Sequence, residues 1–418
     1  MQGNLFLTSV KGLWLPPFVG NHSVKGSQMN TSNILSDAFV WIKDDKIEAF
    51  GKMEDLKDEF PERIFNSSQH IICSGKYVLP SFVDAHSHLV FASWRENEME
   101  MRLSGKTYSE IAEAGGGILN SAQMLENTSE DQLFDSAYQR LEELIMLGTG
   151  ALEIKSGYGL SLASELKMLR VIRRIKEASP IPIKATFLGA HAIPKKFVDR
   201  NEYIDLVINK MIPAVSAENL ADYCDVFCDK GFFTPLETEA ILKQGIKYGL
   251  VPKVHANELA SSGGVQVGVK LEARSVDHLE CVEDEELHLL ANSNTIPVLL
   301  PGTAFFLGIH PPNARKMIDF GLPVALSSDY NPGTCPSGNM EFTLSLACHL
   351  LKMKPFEAIN AATINSAHAM DVEDIAGKIA VGRQANLLIT KPISSLAFLP
   401  YHFGESGIEK VVLNGRVL

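Results

Sequence analysis

The strongest constraint in this chain is an alternation. From about residue 81 to 377, short apolar runs recur with helix-like stretches between most of them. The runs fall at 81–86, 151–155, 183–188, 224–228, 251–255, 275–278, 296–300 and 323–327. Parallel strands need a crossover of a dozen or more residues, usually a helix. Strands covered on both faces read as continuous apolar runs. Eight β-then-α units in about 300 residues is the count for an α/β fold of the (β/α)8 TIM-like barrel type. The alternative is an open doubly wound sheet, which eight units disfavour. Two of the helices carry clear start signals. Ser129-Glu130-Asp131-Gln132 is a capping-box pattern ahead of Leu133, Ala137, Leu141, Leu144 and Ile145, and Gly148 stops it. Ser161 opens a second stripe through Leu166, Leu169, Ile172 and Ile175.

The two ends differ from this middle. Residues 36–49 read as a strand, a turn at Asp44-Asp45 and a strand, and residues 70–79 repeat the pattern around Ser74-Gly75. At the far end, 385–390 and 410–418 are short strands with a turn at Asn414-Gly415. Neither end holds enough strand for its own core. The chain therefore divides into 1–80 and 378–418, the two parts of one small composite β-sandwich domain, and 81–377, the barrel.

Charge narrows the partners. Thirty-eight basic against 50 acidic residues gives a net charge of −12, which excludes a broad nucleic-acid surface. A single well-placed Arg can still bind an anionic small molecule. Six cysteines are too few for a disulfide scaffold. Cys224 and Cys228, four residues apart on one strand, would lie roughly 13 Å apart, and a bridge needs about 7 Å or less. The N-terminus lacks the basic-then-apolar pattern of a secretory signal, and no run reaches the roughly 18 apolar residues of a membrane helix. A cytoplasmic protein with reduced thiols and no membrane contact is the expectation.

Chemistry gathers at the ends of the apolar runs. Asp84-Ala85-His86-Ser87-His88 places two imidazoles two residues apart, on one strand face and roughly 7 Å apart at the backbone. His255 closes Val251-Pro252-Lys253-Val254-His255, Glu258 comes three residues later, and Asp329 comes after Val324–Ser328. The C-terminal ends of barrel strands surround one mouth. His86, His88, His255 and Asp329 can therefore meet there, and three imidazoles with one carboxylate suit a zinc or iron ion. Alone, each such residue is as readily a cap or a loop hydrogen bonder. Tyr158, His191 and His278 lie just after or at the end of other strands, and Asn331, Gly333 and Thr334 lie in the turn after Asp329. Arg95 lies in the loop after the His-x-His strand, where a surface salt bridge is the bland reading. Ala114-Gly115-Gly116-Gly117 lacks the Gly-Lys-Ser/Thr of a phosphate loop. His22, His70, His288, His310, His349, His368 and His402 show no ligand pattern.

These motifs resemble the amidohydrolase superfamily. Within it, the chain is similar to the branch that hydrolyses 4-imidazolone-5-propanoate in histidine degradation. The stretches that carry the likeness are 86–91, 102–108, 114–118, 153–160, 186–194, 225–231, 300–307 and 328–333. The His-x-His alone marks only the superfamily, whereas EIKSGYGL, TFLGAHA and LLPGTAFF are far more specific. The resemblance implies ring opening to N-formimidoyl-L-glutamate and one zinc or iron ion on His86, His88, His255 and Asp329. Two-metal relatives use a carboxylated Lys on the fourth strand, and CDVFC has none. Departures are Ser81, Ser87, Asn386 and Trp94, the last beside Arg95 where the family commonly has Asp. None removes a ligand.

The resemblance also implies roles. The ion supplies hydroxide near neutral pH. His278 polarises the carbonyl or transfers a proton. Glu258 accepts the water proton or binds the ring nitrogen, and Asp329 is a second candidate base. Arg95 clamps the substrate carboxylate tail. Tyr158, His191, Asn331, Gly333 and Thr334 line the substrate. A homodimer is expected by analogy with the barrel class. Two other readings stay open: another cyclic amidase or aminohydrolase such as a deaminase, and a non-catalytic barrel serving as an interaction protein.

Overall fold

The computed structural model describes residues 4–17, 22–56, 68–106, 110–111 and 114–418. Thr107 and Tyr108, part of one matched stretch, lie outside the described residues. The eight expected runs are eight parallel strands. They are Phe82–Asp84, Thr149–Lys155, Ile183–Ala190, Tyr223–Cys228, the pair Val251–Pro252 and Val254–Ala256, Ser275–His278, Ile296–Leu299 and Ala325–Leu326. They neighbour one another in chain order. The ring closes where Ser87 bridges Tyr330 in parallel, so the last strand returns to the first. Thr149–Lys155 and Tyr223–Cys228 are buried at every position, as strands sandwiched between a barrel interior and outer helices must be.

The helices begin where their caps demand. Ser129 accepts the Gln132 amide in a reciprocal capping box at the head of Glu130–Met146, and Leu133, Ala137, Leu141, Leu144 and Ile145 are the buried stripe of that helix. Gly148, at φ +99°, turns the chain back into the next strand. The Ser161 side chain accepts the Ser164 amide and caps Leu162–Ala178.

The ends build one mixed sheet of eight strands from Asn4–Leu15, Asn33–Lys43, Lys46–Lys52, Gln69–Ile72, Tyr77–Pro80, Leu387–Thr390, Ile408–Leu413 and Arg416–Val417. The expected sandwich is thus continuous in its hydrogen bonding. The turn at Ser74-Gly75 is present, but the strands beside it do not pair with each other. Both run parallel to Asn4–Leu15, on successive halves of it. That long strand is absent from the sequence reading. It is irregular between Leu7 and Val10, where Ser9 takes φ +52°, and this break obscures its periodicity. Leu387–Thr390 pairs with Tyr77–Pro80, joining the two ends of the chain. Leu388 and Trp14 belong to the same buried cluster as the barrel helices, so sheet and barrel share a core. No helix among the described residues is long and apolar enough to cross a membrane.

Candidate active site

The first strand ends at Asp84, and closure of the ring fixes the register of the residues just beyond it. The Asp329 amide donates to the His86 carbonyl at 3.0 Å and the His88 amide to the Tyr330 carbonyl at 2.8 Å. This register brings Asp329 Oδ1 to 3.5 Å from His86 Nε2 and 3.6 Å from His88 Nε2. His255 arrives from the fifth strand, with its ring centroid 4.5 Å from that of His86. Ligand atoms of His86, His88 and His255 lie within 4.8 Å of one another, all buried. The backbone bends sharply at this rim: Asn257, His278, Leu279 and Asp329 take φ of +58°, +82°, +70° and +55°. Non-glycine residues rarely adopt these values, and such outliers gather at functional sites.

The nitrogen chemistry fits a metal ion. His86 Nδ1 lies 2.6 Å from Asp277 Oδ2, and His255 Nδ1 lies 2.9 Å from Asp225 Oδ2. A carboxylate behind Nδ1 fixes the tautomer and leaves Nε2 as the donor atom. Nε2 of His86 and of His255 are buried with no hydrogen-bond partner, a costly arrangement for a bare polar group. Burial, then Lys155 and the neighbouring imidazoles, push the His86 pKa well below its ordinary value. Burial, then His191 and His255, do the same to His88. Neutral imidazoles are what a metal requires.

Behind the histidines is a charged barrel interior that the sequence reading did not single out. Lys155 Nζ meets Glu153 at 2.7 Å, Asp225 at 2.8 Å and Asp277 at 3.4 Å. Lys253 also pairs with Glu153, and Thr186 donates to it at 2.6 Å. All five charged groups are fully buried. Burial opposes ionisation of Asp225, but His255 and Lys155 outweigh it and hold its pKa low. The available signal was charge at alternate positions of otherwise apolar strands, as in Glu153 and Lys155.

A cavity of about 270 Å³ opens above the cluster. Its walls include His88, Arg95, Tyr158, His191, His255, Glu258, His278, Asp329, Asn331 and Thr334, with Arg102 and Lys106 beside them. His86 and Gly333 are not on the walls. His86 lies beneath, and Gly333 supports Arg95. A Cβ on Gly333 would sit 1.9 Å from Arg95 Nη2. The Arg95 Nε is 3.1 Å from Glu98, whose carboxylate also accepts the Gly117 amide at 2.7 Å. The glycine run at 114–117 thus serves a carboxylate rather than a phosphate. Arg102 donates to the Gly333 carbonyl at 2.7 Å. Trp94, half exposed, packs on Phe91 and Tyr330, so the departure beside Arg95 leaves that guanidinium on its support.

Asn331 faces the cavity but spends its side chain on the loop. Its Oδ1 accepts the Gly333 and Thr334 amides at 2.8 and 2.7 Å, and its Nδ2 donates to the Asp329 carbonyl. The Thr334 hydroxyl also donates to Asn331. His191 Nδ1 lies 3.1 Å from the Gly157 carbonyl. A Cβ on Gly157, at φ +107°, would strike that ring. Burial takes the His191 pKa down to about 3. The Tyr158 ring is tilted by about 45° against those of both His88 and His191.

His278 Nδ1 faces Glu258 at 3.7 Å and Glu280 at 3.8 Å. Burial works against the charge on His278, but Glu258, Glu280 and Asp329 favour the imidazolium and lift its pKa. Burial, assisted by Glu280 and Asp329 and opposed by His278, raises Glu258 to about 7. Glu280 escaped the sequence reading because nothing in its local pattern marks it. Its two carboxylate oxygens are buried without hydrogen-bond partners.

Comparison with known proteins agrees with this geometry. A model of the amidohydrolase family matches residues 234–418. An imidazolonepropionase of Flavobacterium johnsoniae is 50% identical over 396 residues, 94% of this chain and 95% of that one. Another, from Christiangramia forsetii, is 47% identical over 415 residues, 99% and 100% of the two chains. Among solved structures, Escherichia coli guanine deaminase superposes with a TM-score of 0.73 at 15% identity, covering 100% of this chain and 99% of that one. An atrazine chlorohydrolase of Arthrobacter aurescens, complexed with zinc, gives 0.73 at 17% identity, covering 99% and 95%. These two likenesses speak to the fold.

Proposed function

The chain belongs to the imidazolonepropionase family of amidohydrolases, and on that basis we propose how its own residues carry the reaction. The enzyme hydrolyses the ring C–N bond of 4-imidazolone-5-propanoate and releases N-formimidoyl-L-glutamate. The observation that carries the proposal is that one cavity presents both the histidine cluster and Arg95. An enzyme for this substrate needs both: a means to activate water, and a cation for the propionate tail.

A metal ion belongs to this site, and we assign it as zinc or iron on His86, His88, His255 and Asp329. When bound it lowers the pKa of water into the neutral range and supplies the nucleophile. The remaining work falls to the chain. Arg95 takes the propionate in a charge-assisted contact, while Glu98 and Gly333 hold the guanidinium in place. Tyr158 and His191 close the wall beside the ring. His278 faces the ring carbonyl as an imidazolium and stabilises the negative charge that develops on its oxygen. Glu258, raised to about 7, accepts a proton from water and returns it to the leaving ring nitrogen. Asp329, whose Oδ2 accepts from the Thr303 hydroxyl, shares the base role.

The tail clamp favours this reading over a deaminase, whose ring substrate requires no carboxylate partner. A purely binding barrel would have no need of buried Nε2 atoms aimed at one point. Six unpaired cysteines support a reducing, cytoplasmic setting. A homodimer is the proposed assembly, by analogy with the barrel class, and sedimentation will measure it.

The test uses freshly prepared 4-imidazolone-5-propanoate with the purified protein, as isolated and after chelation. Expected is turnover that chelation abolishes and one equivalent of zinc or iron restores. Bound metal with no turnover would overturn the substrate and leave the fold and ligands. Neither metal nor turnover would favour the non-catalytic reading.

A further inference from the structure

The barrel mouth is not the only place where the fold gathers histidines. His22 and His368 show no ligand pattern in sequence, yet they meet around one carboxylate. Glu373 Oε1 lies 3.2 Å from His22 Nδ1 and 3.0 Å from His368 Nδ1. The two rings are 5.8 Å apart. One ligand atom from each of the three residues falls within 4.8 Å of the others. Four donors at about 2.0–2.1 Å around a tetrahedral zinc lie about 3.3 Å from one another, so these spacings are already near those of a zinc shell.

This cluster is remote from the active site. Asp371, two residues before Glu373, pairs with Arg274, which precedes the sixth barrel strand. The Met370 carbonyl accepts from Tyr223, the first residue of the fourth strand. The cluster therefore sits by the N-terminal ends of the strands, away from the mouth.

All three residues are held by the frame. His368 belongs to the helix Ser366–Ala369, whose Ser366 hydroxyl donates to the Leu326 carbonyl at 2.7 Å. Arg383 donates to the Glu373 carbonyl. Two residues after His22, both backbone groups of Val24 are bonded to the Asn365 side chain, at 2.8 and 2.9 Å. His368 and Glu373 are largely shielded, while the His22 side chain is 62% exposed and leaves room for water as a further ligand.

Charge permits a cation here. Of the nearby cations, Arg274 is tied to Asp371, Arg383 lies 3.7 Å from Asp374, and Lys378 acts on both Glu373 and Asp374. Partial burial works against the charge on Glu373, but the hydrogen bond from His368 outweighs it and holds the carboxyl at about 2. The carboxylate a metal needs is thus present at neutral pH.

We propose that His22, His368 and Glu373 form a second, structural site for a divalent transition-metal ion of the zinc type, clipping the segment that enters Gly26–Asn30 to the barrel. Two imidazoles and one carboxylate suit zinc, nickel and copper, and disfavour magnesium and calcium. The competing arrangement is a metal-free triad in which both imidazoles donate to Glu373.

The test titrates zinc calorimetrically into holoenzyme whose active-site ion is already in place. Expected is one further equivalent, with a rise in melting temperature. Both effects should vanish in His22→Ala and His368→Ala, with turnover of the holoenzyme unchanged. Glu373→Gln is the decisive control, because it keeps an oxygen acceptor for the imidazoles and removes the charge. It should lose the extra zinc and remain folded. Copper bound at the same site should show nitrogen couplings from two imidazoles. No further equivalent, or one that persists in all three variants, would overturn the proposal and leave the active-site reading untouched.

Discussion

At the residue scale, several side chains of the site are held by neighbours with no chemistry of their own. Arg95 shows this best. Glu98 takes its Nε, and Gly333 offers a surface without a Cβ. A charged hydrogen-bonded contact contributes about 1.5–3 kcal/mol, so Arg95→Ala should raise KM by roughly 10- to 150-fold. Metal content should not change, and an unchanged KM would remove Arg95 from substrate binding. Gly333→Ala tests the support. Gly333 needs no left-handed backbone, so the variant should fold normally while its new methyl displaces the guanidinium. A rise in KM of about tenfold is expected, since an ångström of misplacement can cost up to about 10²-fold. Glu258 sets a pH dependence. A base must be ionised to accept a proton, so activity falls as pH drops through its pKa. With that value near 7 rather than in the usual carboxylate range, kcat/KM should show an acidic limb close to neutrality. Glu258→Gln should abolish the limb along with most of the rate, and a limb that survives places the base elsewhere.

At the element scale, strands act in two ways. Their C-terminal ends deliver the histidines, and their alternation loads the barrel interior with charge. Glu153 and Lys155, two apart, both point inward, and Lys155 reaches the two carboxylates that stand behind His86 and His255. Removing this ammonium leaves buried carboxylates without compensation, a loss of about 3–5 kcal/mol. Lys155→Met should therefore melt earlier. It should also bind metal about 10- to 100-fold more weakly, the usual effect of losing a partner behind the ligands. A chelator competition on the folded variant measures the second effect, and unaltered affinity would confine Lys155 to a structural role. The helices were legible because their signals are local: Ser129 and Ser161 cap, and the apolar stripes repeat at helical spacing. Asn4–Leu15 was not, because its bulge breaks the period and its partners come from distant segments.

At the scale of the whole molecule, the two ends of the chain are one structural unit with the barrel. Leu388, on the strand that joins the termini, is fully buried in the main core, and a Cβ on Gly148 would lie 3.1 Å from it. Leu388→Ala should cost about 2–5 kcal/mol. Because the core is shared, calorimetry should show a single transition moved to lower temperature. Two separated transitions, with only one shifted, would mean that sheet and barrel are independent.

Local pattern in the chain was enough for the barrel, its eight strands and the residue types at its mouth. Periodicity and polar residues ending apolar runs carry that information, and both are properties of neighbouring residues. Tertiary structure decided the rest. That Asp329 reaches His86 and His88 depends on ring closure through Tyr330. That Asp225 backs His255 depends on two neighbouring strands, and that Asp277 backs His86 depends on closure of the barrel, which brings the sixth strand's side chain across the interior to the first. That Glu258 and Glu280 both face His278 depends on how the chain turns at the barrel rim, where His278 and Leu279 take positive φ, and that His22 meets His368 and Glu373 depends on segments far apart in the chain. Interaction energies depend on separation in space, and only the closed fold brings these groups within a few ångströms.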